Sequence, residues 1–510
     1  MTIGRDFETN LSSGFQDHAL VLILDFISKS AAERPWHRAQ DLPHCGMASS
    51  YQGSRFTGWI IALSLPLAGF SGLAASRADV IQSVTSATEY LDGISTNGGF
   101  VGIYSIDLKQ RFGEAVYEKA SDDEIWVQAP GTPTVGQVYL RLHRVTALDP
   151  FLTMARKIGR ALAWGQSLEG GWDHRVDVSG LTDESVRPNR QPGRGSFDDR
   201  ISQGALEFLM ALDQVLDEAW LEESVQLGID FVRSAQFSNG AWPQWFPLRG
   251  GYHDHFTFND HAINDCIAVM LKAHRVYGDP RCLESALRGG AFIRLSQVGE
   301  PQAGWAQQYS HDLRPAWARR FEPPGVCSAV TVNNLRTLLE LFLESGDQGF
   351  LEPFESALDW LGRSQLRPDQ ISTLKFPLAG DREQKLWARL YEEGSNRPIY
   401  GDREVGDEVF YDLDAISERE RNSYGWQGSY GVNAITVLWA EIQQTGPSRW
   451  RQIERQRRVR VRKSSTTDAA VDAILRGQDA EGRWTREGKI YIGDFVSNLT
   501  VLTDYLEMSQ

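Results

Sequence analysis

Two aspartates, Asp198 and Asp260, are the first candidates for chemistry in this chain. Each closes a long loop where a helix-like run begins, Asp198 in GSFDD before ISQGALEFLMALDQV and Asp260 in TFND before HAINDCIAVMLKAHRVY. They are 62 residues apart, close to one length of a repeat described below, so they are expected at equivalent helix starts. Aspartate in that place is a preferred helix N-cap. Two carboxylates facing one cleft are also a hard-cation site, because calcium gathers about six to eight oxygen ligands. A cap and a ligand are compatible roles. The loop before Asp260 also holds His253 and His255, and His261 follows it, but their spacing is not that of a zinc set.

The basic residues collect in the same long loops. Arg319 and Arg320 are neighbours in PAWARRFEPP, and in an extended segment they point to opposite faces, so at most one enters a cleft. Arg389, Arg397 and Arg403 lie among aromatics between Leu386 and Trp426. Arg249, Trp242 and Tyr252 stand in the loop before Asp260, which is longer than the roughly two to eight residues that join helices in compact domains. A turn needs no such residues, so they favour a cleft. The formal net charge is -15, which argues against nucleic-acid binding. Arginine binds carboxylates through two parallel hydrogen bonds, and salt screens distant charge within about 8 Å. An acidic chain bound in an arginine-lined groove is therefore compatible with an acidic protein.

The elements that must hold these residues repeat along the chain. Helix-like runs end in Gln166, Gln236, Gln297 and Gln365, spaced by 70, 61 and 68 residues, and again in Gln478. Gln166, Gln236 and Gln478 each continue with five residues and a tryptophan: Trp172, Trp242 and Trp484. The copy from Gln297 to Trp305 is looser, and the Gln365 copy lacks the tryptophan. Upstream of several copies an acidic turn leads into apolar residues at helical spacing. Each unit thus reads as two helices and their loops. Gln and Trp in this pattern are architectural, the first holding loop backbone and the second covering the end of a helix pair. The expected fold class is all-α: an incomplete or closed α/α toroid of helical hairpins, with long loops and little strand. RVRVRK at 458 to 463 is a strand-like exception.

Cys45, Cys266, Cys282 and Cys327 form no C-x-x-C and are expected as buried thiols. LVLILDFI at 20 to 27 is short, lacks a basic leader and contains Asp25, so no signal peptide is expected. No run is long enough for a membrane span. A monomer is expected.

NGAWPQWFPLRGGYHDHFTFND resembles the signature loop of family 10 polysaccharide lyases, the pectate lyases. The resemblance extends to GGW before the first acid, FDD at 197 to 199, GWAQQY with PAWARRFEPP, and LWARLYEEGSNRPIYGDR. It spans about Leu140 to Gly431, which divides the chain into N-terminal repeats (1–139), a lyase-like core (140–431) and a C-terminal repeat (432–510). The family often has Asn after its first acid, where this chain has Asp199. By motif, the resemblance implies essential acids at Asp198 and Asp260, holding Ca2+, a catalytic base at Arg319, and substrate-binding arginines at Arg389 and Arg403. Arg249, Trp242 and Tyr252 are further candidates for substrate contact. The implied reaction is β-elimination in a 4-linked uronate chain. Two other functions use the same residues: a toroid that holds acidic oligosaccharides without cleaving them, and a two-carboxylate glycosidase with Asp198 and Asp260 as acid and base. A terpene-cyclase-like toroid is disfavoured, because no Asp-x-Asp-Asp or Asp-Asp-x-x-Asp cluster occurs.

Overall fold

A computed structural model describes residues 75–182, 190–376, 385–459 and 466–509. The segment 20 to 27, Cys45 and most of the expected N-terminal repeats lie outside the described residues. The helices are α1 (Arg77–Ile94), α2 (Thr132–Thr146), α3 (Asp149–Trp164), α4 (Ile201–Asp213), α5 (Ala219–Ser234), α6 (Ala262–Tyr277) and α7 (Pro280–Leu295). They continue as α8 (Ser328–Ser345), α9 (Phe354–Arg363), the short α10 (Glu418–Ser423), α11 (Val432–Thr445), α12 (Pro447–Val459), α13 (Asp468–Gly477) and α14 (Ile492–Met508).

Two kinds of helix follow from two kinds of sequence. α6 buries Ile263, Asp265, Cys266, Val269, Leu271 and Lys272, which lie all round its axis. α3 buries a single stripe, Phe151, Met154, Ala155, Ile158 and Leu162. The first kind, α2, α4, α6 and α8, forms an inner row, extended by α14 before α2 and α11 after α8, each packing on the next. The second kind lies outside: α3 on α2 and α4, α5 on α4 and α6, α7 on α6 and α8, α9 on α8 and α11. Among the described residues no comparable packing joins α11 to α14, so these helices form an incomplete toroid. The expected 139/140 division falls inside α2. Asp279 caps α7 through the Arg281 amide at 2.8 Å, with Pro280 in the first turn, which is the structural meaning of the acidic turn.

The Gln-loop-Trp pattern does what its architecture requires. Gln236 Nε2 donates to Gly240 O at 3.0 Å and to Ser285 O on the next outer helix at 2.9 Å. Gln166 and Gln478 repeat this with Ser224 O and Ser83 O, both at 3.0 Å. Gly240 has φ +96°, and a Cβ there would stand 2.2 Å from Arg288 O, so only glycine permits the approach. Each tryptophan then donates Nε1 back to its own helix: Trp172 to Leu162 O, Trp242 to Val232 O and Trp305 to Ile293 O. The Gln365 copy is not without its tryptophan. Trp387 donates to Leu361 O at 2.7 Å, and a long excursion separates it from the helix it covers.

The loops at this end are stitched by two- and three-residue antiparallel strands. Gly195–Ser196 pairs with Trp245–Phe246, Phe256–Thr257 with Gln308–Tyr309, and Trp387–Ala388 with Gln427–Gly428. Trp305–Ala306, Val326–Cys327, Leu390–Tyr391 and Pro398–Ile399 form a four-stranded sheet. Strand is otherwise minor. The strand-like 458 to 463 is a correction: Arg458 and Val459 belong to α12, whose amphipathic run prevails over the local alternation, and the rest lies outside the described residues. Cys266, Cys282 and Cys327 are buried free thiols.

Candidate active site

Two identical backbone turns build the centre of the site. Before α4, Asp199 (φ 44°, ψ 36°) and Arg200 (φ 61°, ψ 27°) are both left-handed. Before α6, Asp260 (φ 48°, ψ 29°) and His261 (φ 63°, ψ 16°) repeat the conformation. Asp260 therefore corresponds to Asp199, and Asp198 corresponds to Asn259, which corrects the expected pairing of Asp198 with Asp260. No side-chain cap hydrogen bond forms at the start of either helix, so the carboxylates are not acting as caps. They converge instead: one oxygen each from Asp198, Asp199 and Asp260 lie within 4.8 Å of one another.

Asp198 is 8% exposed and its Oδ1 is buried without a hydrogen-bond partner. Burial, and then the charges of Asp260 and Asp199, raise its pKa well above the usual carboxylate range, against the opposing effect of Arg319. Gln128 Nε2 donates to Asp199 Oδ2 at 2.8 Å, and Asn259 Nδ2 donates to Asp260 Oδ2 at 2.8 Å. Arg200 is half-buried and bonds Asp265 Oδ1 at 2.9 Å and Glu207, which anchors the first turn to α4 and α6.

Arg319 enters the cluster. Its Nη2 donates to Asp260 Oδ2 at 2.9 Å and lies 3.9 Å from Asp198 Oδ2. Arg320 points the other way, to exposed Asp407; the expected extended segment is instead a turn, closed by the Glu322 amide on Arg319 O at 2.8 Å. Glu322 sits behind Arg319 with its side chain 1% exposed. It accepts from the Arg319 backbone NH at 3.1 Å and from Tyr424 Oη at 2.7 Å. Burial opposes the Arg319 charge, but Asp260, Glu322 and Asp198 outweigh it and hold the guanidinium pKa above its ordinary value.

Arg389 is a second cation in the same wall. It donates to Gln307 Oε1 at 2.9 Å and to Asn259 Oδ1 at 3.2 Å, with its guanidinium 4.5 Å from the Tyr424 ring centre. Gln307 Nε2 in turn donates to Asn259 Oδ1 at 3.0 Å. Arg403 is held by the buried carboxylate of Glu420 and lies over Phe321, whose ring meets Tyr424. Tyr252 neighbours Arg319 and stacks on His253, which stacks on Trp245, which carries Arg194.

One candidate does not reach the site. Trp242 is fully buried and spends its NH on Val232, so it cannot touch a substrate. The sequence already placed it in the architectural pattern, and that role excludes the other. Arg249 is exposed, and its side chain makes no ion pair or hydrogen bond among the described residues. The sequence missed Asp199, Asn259, Gln307, Glu322 and Tyr424. A signal existed for one of them. Gln307 and Arg389 are each two residues after a tryptophan, in the parallel runs WAQQY and WARLY, and so is His174, which lies 4.0 Å from Asp198.

Comparison with known proteins follows the same loops. The family model described as pectic acid lyase matches residues 166–435, which is 270 of the 510 residues. A family 10 polysaccharide lyase from Cellvibrio cellulosa is 22% identical, with TM-score 0.48, over 63% of this chain and 99% of that one. A mutant of a Cellvibrio cellulosa lyase of that family, in complex with trigalacturonic acid, gives 22% and TM-score 0.47 over 62% and 98%. A cellobiose 2-epimerase from Bacillus thermoamylovorans gives 10% and TM-score 0.42 over 85% and 100%. No curated protein matches. No helix among the described residues is long and apolar enough to cross a membrane.

Proposed function

Because the chain belongs to the pectic acid lyase family, whose members are polysaccharide lyases, we propose that it cleaves 4-linked polyuronate, polygalacturonate foremost, by calcium-assisted β-elimination with Arg319 as base. The observation that carries this reading is the convergence of three carboxylates and one guanidinium on a single point within the matched region.

The donor set fits a hard divalent cation. It offers charged oxygens only, and the unpartnered buried Oδ1 of Asp198 is a ligand atom without another use. Asp198, Asp199 and Asp260 would hold the ion. When bound there, calcium supplies Lewis-acid neutralisation of the uronate carboxylate and of the charge that develops beside it.

In the elimination, the C5 proton passes to the base and its electron pair forms the C4–C5 double bond. The C4–O bond breaks, and the leaving oxygen takes a proton from solvent. In this reading Arg319 is the base, and the turn Arg319–Glu322, with the Glu322 carboxylate behind it, supports the proposal by fixing its backbone. Its three carboxylate neighbours hold it charged, so it needs their charge neutralised before it accepts a proton. Arg389, supported by Gln307 and Asn259, presents a fixed cation to a uronate carboxylate. Arg403 and Tyr252 extend the same wall. A two-carboxylate glycosidase fits less well, because its acid and base flank a bond at separations of about 5 Å or more. Here the carboxylates crowd together with Arg319 among them.

The test is product identity. Polygalacturonate incubated with the protein and calcium should give an unsaturated end, lighter by one water than the hydrolysis product. Saturated products would establish hydrolysis, and intact polymer retained on the protein would establish binding alone.

A further inference from the structure

The carboxylates that fit a metal are already engaged by an arginine. Arg319 Nη2 is 2.9 Å from Asp260 Oδ2 and 3.9 Å from Asp198 Oδ2, so it lies against two of the three candidate ligands. Two cations on one carboxylate at such distances repel each other strongly in a half-buried site. Arg319 is also free to move without losing its anchor. Its side chain is 35% exposed, whereas Glu322 behind it is 1% exposed and pinned by Tyr424 Oη and the Arg319 backbone NH. The guanidinium Nε lies 3.8 Å from Glu322, so a rotation away from Asp260 can keep that ion pair. Tyr252, partly exposed, is a further neighbour of the guanidinium.

We propose that Arg319 and the metal are alternative occupants of Asp260, so that Arg319 sets the metal affinity of the site and must leave this carboxylate when the ion loads. The proposal rests on the reading of Asp198, Asp199 and Asp260 as a metal site. It gives Arg319 a second role, distinct from proton abstraction: it is the counter-ion that balances the cluster until a divalent cation displaces it. Monovalent ions, with half the charge, compete poorly with a guanidinium held by a short hydrogen bond. Metal binding and release of the base then become one event.

The test is calcium binding to chelator-treated full-length protein, by calorimetric titration and by the calcium-induced rise in Tm, with no substrate present. Arg319→Ala should bind calcium at least about tenfold more tightly than the unsubstituted chain, and its Tm should rise more on calcium addition. Arg319→Gln, which keeps most of the side-chain volume, should show the same order and serves if the alanine variant is unstable. Arg320→Ala removes the same charge one residue away, but its partner Asp407 is exposed, so affinity should change by less than about twofold. Equal or weaker calcium binding by both Arg319 variants would overturn the exchange, as would an equal gain in Arg320→Ala. Binding by none of the chains would overturn the exchange together with the metal site. Binding by the unsubstituted chain that Asp260→Asn removes would uphold the site whatever the Arg319 variants show, which separates the two failures.

Discussion

Asp199 and Asp260 occupy the same left-handed position in two successive repeats, with φ of 44° and 48°, and each is followed by a second left-handed residue, Arg200 and His261. Such conformations cost roughly 1–3 kcal/mol each in non-glycine residues and persist where the surroundings fix them. Aspartate tolerates them better than most residues, because its short side chain bonds locally. The turns thereby aim two carboxylates from adjacent inner helices at one point.

This predicts a split between fold and metal binding. Asp260→Asn keeps a residue that accepts the left-handed conformation, so Tm should move by only a few degrees. Calcium affinity should fall at least about tenfold, because a charged ligand is lost. Calorimetric titration beside a thermal melt checks both. Unfolding with unchanged metal affinity would return Asp260 to a structural role.

The raised pKa of Asp198 has a pH signature. Calcium binds the ionised carboxylate, so protons compete below that pKa, and affinity should rise with pH by up to about tenfold per unit. The folded pKa lies above the unfolded one. The stability this group contributes is therefore present below the ordinary carboxylate range and lost as pH rises through the raised value. The calcium-induced Tm increase should accordingly grow with pH, and a flat or opposite trend would remove Asp198 from the ligand set.

Gln236 tests the architecture alone. Gln236→Ala removes its hydrogen bonds to Gly240 and Ser285, with an expected loss of about 1–3 kcal/mol in stability. Turnover per folded molecule should be unchanged, which chemical denaturation and an activity assay together would report.

Arg403 has a structural debt to Glu420, whose side chain is 0% exposed. Arg403→Ala should therefore destabilise by about 3 kcal/mol, because it leaves a buried carboxylate unpaired. Adding Glu420→Gln should recover part of the stability. Recovery of substrate affinity as well would mean that Arg403 only positions the loop; affinity that stays low would mean that it binds the uronate.

The features most legible in the sequence were local ones. Gln166-x5-Trp172 and Gln236-x5-Trp242 encode a turn, a glycine and a helix cover within one short segment, so spacing alone revealed the repeat. The Gln365 copy hid its tryptophan because the excursion before Trp387 breaks that spacing. Asp198 and Asp260 stood out by residue type, but the register of Asp199 depends on a left-handed turn that residue type does not specify. Glu322 and Tyr424 are 102 residues apart in sequence, and only the packing of two loops brings them together behind Arg319. Arg319 and Arg320 do face apart as expected, but a turn at Arg319–Glu322, not strand alternation, sets them so.

The measurement that bears most directly on the central claim compares Arg319→Lys with Arg320→Lys on polygalacturonate, with and without calcium, by the ultraviolet absorbance of unsaturated ends. General-base contributions are typically about a hundredfold to ten-thousandfold. Arg319→Lys keeps the charge but changes reach and planarity, so kcat should fall by at least about a hundredfold. KM should change little, since Arg389 and Arg403 remain. Arg320→Lys, paired with Asp407 on the surface, should retain nearly full calcium-dependent activity. Equal and mild effects of the two substitutions, or unsaturated ends formed equally well without calcium, would contradict the account.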